Sequence, residues 1–356
     1  MPMQIEENKP LAPLTTFGIG GPARWYAQAA NESEILEAVA WASQRGVPLF
    51  VLGGGSNLLV SDSGFPGLVL HAVLKGIGIA ILGQTRIYKV AGGEDWDQFV
   101  QRTVDDGCAG VECLAGIPGT VGGTPVQNVG AYGQEVSSTI ASVRVFDLRE
   151  GDFRLLANRE CGFGYRRSRF NTVDRDRYLV TRVTYRLNRG GAPEIKYAEL
   201  RRALEAMTPI EVQHSLAATA AAVRRLRQNK GMLLVDGDPD CRSAGSFFKN
   251  PIVRAAQAVE IAAKCGKEAP RFPAGADGAS ADLVKLPAAW LIEQAGFPKG
   301  YRLGAAGISS RHTLALVNLG GATALEILAL AARITESVEA RFGIRLEREP
   351  VLVGFD

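Results

Sequence analysis

The sequence predicts a mixed α and β protein of two or three domains. Its 356 residues exceed one typical domain. Hydrophobic residues make up 46% and charged residues 22%, which supports sizeable cores and argues against disorder. Stretches with helical spacing, opened by capping residues, alternate with short apolar runs that read as strands.

Asn31-Glu32-Ser33-Glu34 reads as a capping box. Ile35, Leu36 and Val39 then share one face, and Gly46 ends the helix. Residues 47–52 read as a buried strand that runs straight into Gly53-Gly54-Gly55-Ser56-Asn57-Leu58. Such a loop can bring bare N–H groups close to an anion, or it can be a plain tight turn. It matches neither GxGxxG nor the GxxxxGK loop. A helix over 95–106 places Trp96, Phe99, Val100 and Val104 at core spacing. Over 114–133, glycines and prolines interrupt an apolar stretch, which disfavours helix and regular strand alike. A loop of that kind suits close backbone contact with a flat, extended ligand.

Residues 142–148 and 178–187 read as strands. Between them a glycine-broken turn displays Tyr165 and Arg166, the arginine either solvated or facing a ligand. The polar segment 188–193 reads as a boundary. A helix over 212–229 presents Arg224, Arg225 and Arg227, with Lys230 just beyond. A charge run on a helix is commonly a solvated face, but this one leads towards Ser246, which points to anion recognition. In Ala244-Gly245-Ser246-Phe247-Phe248-Lys249-Asn250-Pro251 two aromatics can wedge a glycine turn into a core and hold a hydroxyl at a cleft. A proton donor needs that rigidity, although a simple turn with a solvated lysine fits the residues too. A helix is expected within 280–296, around Trp290-Leu291-Ile292-Glu293-Gln294, and a strand over 312–319. Thr323-Ala324-Leu325-Glu326 opens a long amphipathic helix through Ile327, Leu330, Ile334, Val338 and Phe342, closed by Gly343. A last strand covers 346–354 and carries Glu347 and Glu349.

The totals exclude several classes. A formal net charge of +3 gives no case for non-specific nucleic-acid binding. Five cysteines without a CxxC spacing argue against a disulfide framework or a zinc site, so no metal is expected. The three histidines, His71, His214 and His312, lie far apart. No signal peptide and no run of about 18 apolar residues is present, so a cytoplasmic location without membrane insertion is expected.

Seven motifs occur in an order that closely resembles the UDP-N-acetylenolpyruvoylglucosamine reductases, also called UDP-N-acetylmuramate dehydrogenases. They are Gly53-Gly-Gly-Ser-Asn57, Gly116-Ile-Pro-Gly-Thr-Val-Gly-Gly123, Gln127-Asn-Val-Gly-Ala-Tyr-Gly133, Phe163-Gly-Tyr-Arg166, Gly245-Ser-Phe-Phe-Lys-Asn-Pro251, Trp290-Leu-Ile-Glu-Gln294 and Leu346-Glu-Arg-Glu349. The resemblance covers nearly the whole chain. It implies an α+β protein: an FAD-binding module of the vanillyl-alcohol-oxidase (PCMH) type in two subdomains, plus a C-terminal α+β substrate-binding domain. The expected division is 1–73 with 346–356, then 74–190, then 210–345. The terminal strand is expected to return to the first part, bringing Glu349 near the glycine loop. A monomer is favoured.

The resemblance also implies chemistry. FAD is the cofactor, NADPH the co-substrate and UDP-N-acetylglucosamine enolpyruvate the small-molecule partner, in peptidoglycan precursor synthesis. By motif position Ser246 resembles the proton donor, Arg166 the clamp on the enolpyruvyl carboxylate, and Glu349 the catalytic glutamate, holding a shared proton. Expected cofactor contacts are Gly53, Gly54, Gly55, Ser56, Asn57, Leu58, Gly116, Ile117, Pro118, Gly119, Gly122, Gly123, Gln127, Asn128, Gly130 and Ala131. Expected substrate contacts are Tyr132, Tyr165, Tyr197, Arg227, Lys230, Asn250 and Gln294, with Lys230 facing the diphosphate. The chain departs from the family in placing Arg348 where many members have proline, which leaves Glu347 as a second candidate glutamate. The 230–246 loop is also poorly matched. Two other readings use some of the same features: another flavoprotein oxidase of this fold, and a non-catalytic flavin-binding redox sensor.

Overall fold

The computed structural model describes residues 3–207, 209, 214–274 and 282–355. The helix start expected at 212 falls outside these residues, as do residues 280 and 281 of the 280–296 stretch expected to contain a helix. The chain forms two compact units. Unit 1 comprises 1–10, 22–55 and 64–229, and unit 2 comprises 11–21, 56–63 and 230–356.

Among the described residues unit 1 holds two large sheets, besides the short pair of Gly130–Ala131 with Gln134–Glu135. The first has four strands in the order Ile5–Pro10, Pro22–Ala29, Phe65–Ala72, Leu49–Leu52, the first pair antiparallel and the others parallel. Helix α1 (Glu32–Gln44) packs on it through Ile35, Ala38 and Ala42. Its N-cap is Asn31, whose side chain accepts from the Glu34 N–H, and Gly46 follows its end at φ +60°. The strand expected over 47–52 is shorter and only half-buried, because it stands at the sheet edge, where one side lacks a neighbour. The second sheet runs Asp152–Ala157, Ile140–Asp147, Tyr178–Arg189, Thr85–Ala91, Ile77–Leu82, antiparallel throughout. Helix α2 (Trp96–Asp105) buries Trp96, Phe99, Val100 and Val104 in its core, as their spacing predicts, and Asp95 caps it. Helices α3 (Ala198–Met207) and α4 (Leu216–Asn229) also belong to this unit.

Unit 2 is built around α5 (Ala255–Cys265), α6 (Ala288–Gln294) and α7 (Ala324–Phe342) with small sheets, of which the strands Ala306–Ile308 and Leu316–Asn318 are buried in its core. The Thr323 capping box forms in both directions, and Gly343 closes α7 at φ +68°. Asp62 reinforces the same helix start by accepting from the N–H groups of Ala324 and Leu325. The strands expected over 312–319 and 346–354 shrink to Leu316–Asn318 and Val351–Val353. A turn from His312 to Ala315 shortens the first, and Pro350, which has no N–H to donate, precedes the second. Val351–Val353 pairs in parallel with Leu58–Val60, directly after the glycine loop. Among the described residues no helix is long and apolar enough to cross a membrane, and no cluster of three or more His, Cys, Asp or Glu could hold a metal.

Candidate functional site

In unit 1 two glycine turns meet. A Cβ on Gly54 would lie 2.6 Å from the Gly119 Cα, and one on Gly53 3.1 Å from the Thr120 Oγ1. Real side chains never come that close, so the contact requires glycine at Gly54. Gly122 packs in the same way on Gly92, 3.0 Å from its carbonyl. Among the described residues no protein acceptor meets the N–H groups of Gly54 and Gly55. Bare N–H groups on a loop without side chains are what a pyrophosphate requires, so these residues fit the nucleotide of FAD. Gly123 leaves open space where its side chain would be. Ile117 and Ala131 pack against the unit 1 core.

The loop has a support that no sequence pattern signals. His71 sits opposite Leu52 in the parallel ladder and hydrogen-bonds the Gly53 backbone, while its Nδ1 meets the Tyr26 hydroxyl at 2.8 Å. Burial holds the imidazole below its ordinary pKa despite the Gly53 bond, so it is neutral at pH 7. From sequence His71 lies outside the glycine motifs; in the fold it touches the first of them.

Arg166 occupies a left-handed backbone at φ +52°, a strained conformation for an arginine. Its turn is fixed from several sides. Arg166 Nη2 donates to the Gly130 carbonyl at 2.6 Å, and Asn171 donates to the Arg166 carbonyl. Asn128 is buried at φ +48°, donates to Glu135 and to the Gly164 carbonyl, and accepts from the Ser137 N–H. Its side chain is thus engaged within the unit. The guanidinium lies 5.4 Å from the Tyr165 ring centre. Tyr132, also left-handed at φ +48°, meets Tyr197 edge to face at 6.3 Å. Burial pushes its phenol up to about 12. Gln127 lies half-buried between these turns. Arg227 is buried, with Nε donating to the Gly116 carbonyl at 3.0 Å. Arg224 pairs with Asp97. The arginine run on α4 is therefore not a solvated face at these two positions.

In unit 2, Ser246 stands half-exposed between Gly245, at φ +72°, and the fully buried Phe247 and Phe248. Phe247 packs edge-on against Phe17 and Phe248. The terminal segment runs antiparallel beside this turn, with Phe248 paired to Arg348. The Glu349 N–H donates to the Phe247 carbonyl at 2.8 Å, and Lys249 N–H donates to the Glu347 carbonyl. Asn57 donates through its side chain to the Glu349 carbonyl at 3.3 Å. Ser246, Glu349 and Asn57 thus come together. Glu347 is exposed and paired with Lys249, whereas Glu349 is half-buried. Asn250 Oδ1 accepts the Ala288 N–H, fixing the start of the helix that ends at Gln294. Thr16, which sequence analysis passes over, donates to the Ser243 carbonyl at 2.6 Å. The segment between Lys230 and Ser246 is anchored by Arg311, which pairs with Asp238 and Asp240.

Two family models match. "FAD binding domain" covers residues 23–156, and "UDP-N-acetylenolpyruvoylglucosamine reductase, C-terminal domain" covers 238–353. The chain is 46% identical to the UDP-N-acetylenolpyruvoylglucosamine reductase of Thermobifida fusca, covering 99% of both chains. It is 47% identical to that of Streptomyces coelicolor, covering 99% of this chain and 91% of the relative. Among solved structures, the UDP-N-acetylenolpyruvylglucosamine reductase of Thermus caldophilus aligns at a TM-score of 0.66 and 29% identity, covering 99% of each chain.

Proposed function

The chain belongs to the UDP-N-acetylenolpyruvoylglucosamine reductase family, and we propose that it reduces UDP-N-acetylglucosamine enolpyruvate to UDP-N-acetylmuramate with NADPH, supplying peptidoglycan precursor synthesis. It is an FAD-dependent oxidoreductase with the α+β fold of that family, a vanillyl-alcohol-oxidase-type FAD module followed by a C-terminal domain. FAD, which the 53–57 loop and the 116–123 turn would hold, would supply the hydride chemistry that links NADPH to the vinyl CH2 carbon.

The remaining steps fall to side chains. Hydride addition leaves the carbon alpha to the carboxylate carbanion-like, and a donor must protonate it. Ser246 is assigned that role, because its turn is locked by two buried aromatics and leaves the hydroxyl half-exposed. Arg166 holds the carboxylate with a planar fork and draws off the developing charge. The strain in its backbone is the kind that clusters at functional sites. Glu349 hydrogen-bonds the enolate-like intermediate through a shared proton. Its half-burial favours it over Glu347, which is exposed and already paired. Gly53, Gly54, Gly55, Ser56 and Asn57 take the FAD pyrophosphate. The 116–123 turn flanks the flavin, and Lys230, Asn250 and Gln294 hold the UDP part.

The observation that carries this reading is the pairing of the Ser246 turn with the Glu349 segment, which brings two distant motifs side by side. The test is an anaerobic mix of the purified protein, NADPH first and then the enolpyruvyl sugar, followed at ~450 nm. Bleaching by NADPH and recovery with the sugar are expected. Bleaching without recovery overturns the substrate, and failure to bind FAD overturns the whole reading.

A further inference from the structure

Gly116 enters its turn at φ +73°, and both its backbone polar groups are held by charged side chains. Asp97, in the first turn of α2, accepts the Gly116 N–H through Oδ1 at 2.5 Å. Arg227, in the last turn of α4, donates Nε–H to the Gly116 carbonyl at 3.0 Å. Arg224, one turn earlier on α4, pairs with the other oxygen of Asp97 and reaches the Gln101 Oε1. Three residues on two helices therefore bracket one glycine. The start of α2 holds the flanking residues as well. Trp96 N–H donates to the Gly119 carbonyl at 3.0 Å, and its indole N–H donates to the Leu114 carbonyl at 3.2 Å. Gly119 is the residue on which Gly54 packs.

Arg227 is only 7% exposed. Burying a guanidinium is unfavourable unless its donors are matched. An amide or a hydroxyl could hold a surface turn with a smaller desolvation penalty. The apolar, proline-containing sequence of the turn offers few side-chain hydrogen bonds of its own, so its anchors come from the helices beside it. Without the bracket, the Gly119 backbone, which leaves no room for a Cβ at Gly54, would lose two of the bonds that fix the turn it ends.

We propose that Asp97 and Arg227, with Arg224 steadying Asp97, are positioning residues that set the 116–119 turn against the 53–55 loop and thereby seat the cofactor. The inference rests on the reading above, that these two loops form the FAD seat. The test compares Asp97→Asn, Arg227→Gln and Arg227→Lys with the wild-type holoprotein. It reads FAD retention on ultrafiltration, the shape of the ~450 nm band, the midpoint potential of the bound cofactor and unfolding of the apoprotein. Arg227→Gln and Asp97→Asn are expected to hold FAD about tenfold more weakly, the scale of one lost charge-assisted hydrogen bond. The FAD that stays bound is expected to show a displaced band and potential, and Arg227→Lys is expected to recover part of both.

Retention, band and potential all at wild-type values would overturn the proposal. So would a loss of apoprotein stability with an unchanged band and potential, which assigns the bracket to folding alone. If Arg227→Gln yields no folded protein, the partly exposed Asp97 decides through Asp97→Asn. Gly54→Ala separates the two levels of argument. If it binds FAD as tightly as wild type, the loops are not the seat and the premise falls. If it loses FAD while the Asp97 and Arg227 variants behave as wild type, only the bracket falls.

Discussion

At the scale of single residues, the assigned chemistry divides cleanly between two half-reactions. On the proposed assignment, Ser246→Ala removes a proton donor that NADPH oxidation does not use. Flavin bleaching by NADPH is therefore expected at near wild-type rate, with recovery by the enolpyruvyl sugar slowed by about 100-fold or more, the usual contribution of a general acid. Stopped-flow absorbance reads both, and equal slowing of the two would make Ser246 structural. Arg166→Lys keeps the charge and loses the fork. A steep drop in turnover with little change in the NADPH half-reaction is expected, and near-normal turnover would remove Arg166 from the site. The thiols give a simpler check. Cys108, Cys113, Cys161 and Cys241 are buried, and burial pushes Cys113 and Cys161 up to about 12, whereas Cys265 is half-buried. A thiol reagent at neutral pH is expected to modify Cys265 alone in the native protein. Local structure was legible where a motif surrounds the residue, as in the glycine turn and buried aromatics around Ser246. It was not legible for Arg227. Sequence analysis places that arginine among the substrate contacts, and only the fold reveals its bond to Gly116.

At the scale of elements, the caps and periodicities were readable and the strand ends were not. Asn31 and Thr323 cap the helices they precede, as their capping boxes predict, and Asp95, expected as the first residue of its helix, caps it as well, because a short polar side chain before an apolar period satisfies orphan N–H groups whatever the tertiary context. Thr323→Ala is expected to cost about 1 kcal/mol of unfolding free energy in a denaturant titration. The cost falls below that if Asp62, which accepts from the next two N–H groups, compensates. Strand length depends on neighbours that no local pattern encodes, which is why residues 346–350 leave the ladder after pairing only at Arg348. The glycine loop at 53–55 looked ambiguous because its partner lies far along the chain. The reason for glycine at Gly54 is the backbone of Gly119. His71 was invisible for the same reason: its contact with Gly53 exists only because strands 49–52 and 65–72 pair in parallel. That contact also bears on the alternative of another flavoprotein oxidase of this fold, since such oxidases often attach FAD covalently through histidine or cysteine. Flavin released entirely into the acid supernatant is expected. Flavin retained on the precipitated chain would make His71 the first suspect.

At the scale of the whole molecule, the titrating groups set how stability depends on pH, and the direction follows from which state binds more protons. His71 is held below its ordinary pKa by burial, so the folded chain resists a proton that the unfolded chain accepts below about 6.5. Its contribution is complete above that pH and declines as the solution becomes more acidic. Asp147 has no exposed side-chain surface and is held below the usual carboxylate range by Arg177, with the Arg149 and Glu150 N–H groups assisting. Glu32 is held down in the same sense by Arg144, which binds it through Nε and Nη2. Both carboxylates stabilise the fold fully above their unfolded values of about 4 and lose that contribution as the pH falls through their lower folded values. Stability is therefore expected to fall in two stages, a shallow one beginning near pH 6.5 and a steep one below about pH 4. His71→Gln should remove the shallow stage and leave the steep one. Asp147→Asn should reduce the steep stage and lower neutral-pH stability, because it removes the buried charge paired with Arg177 and leaves that arginine Asp174 and Glu150. Urea titrations across pH 3–8 separate the two variants. A shallow stage that survives His71→Gln would mean that the imidazole beside Gly53 is not the group that titrates, and that the glycine loop keeps its support into mild acid.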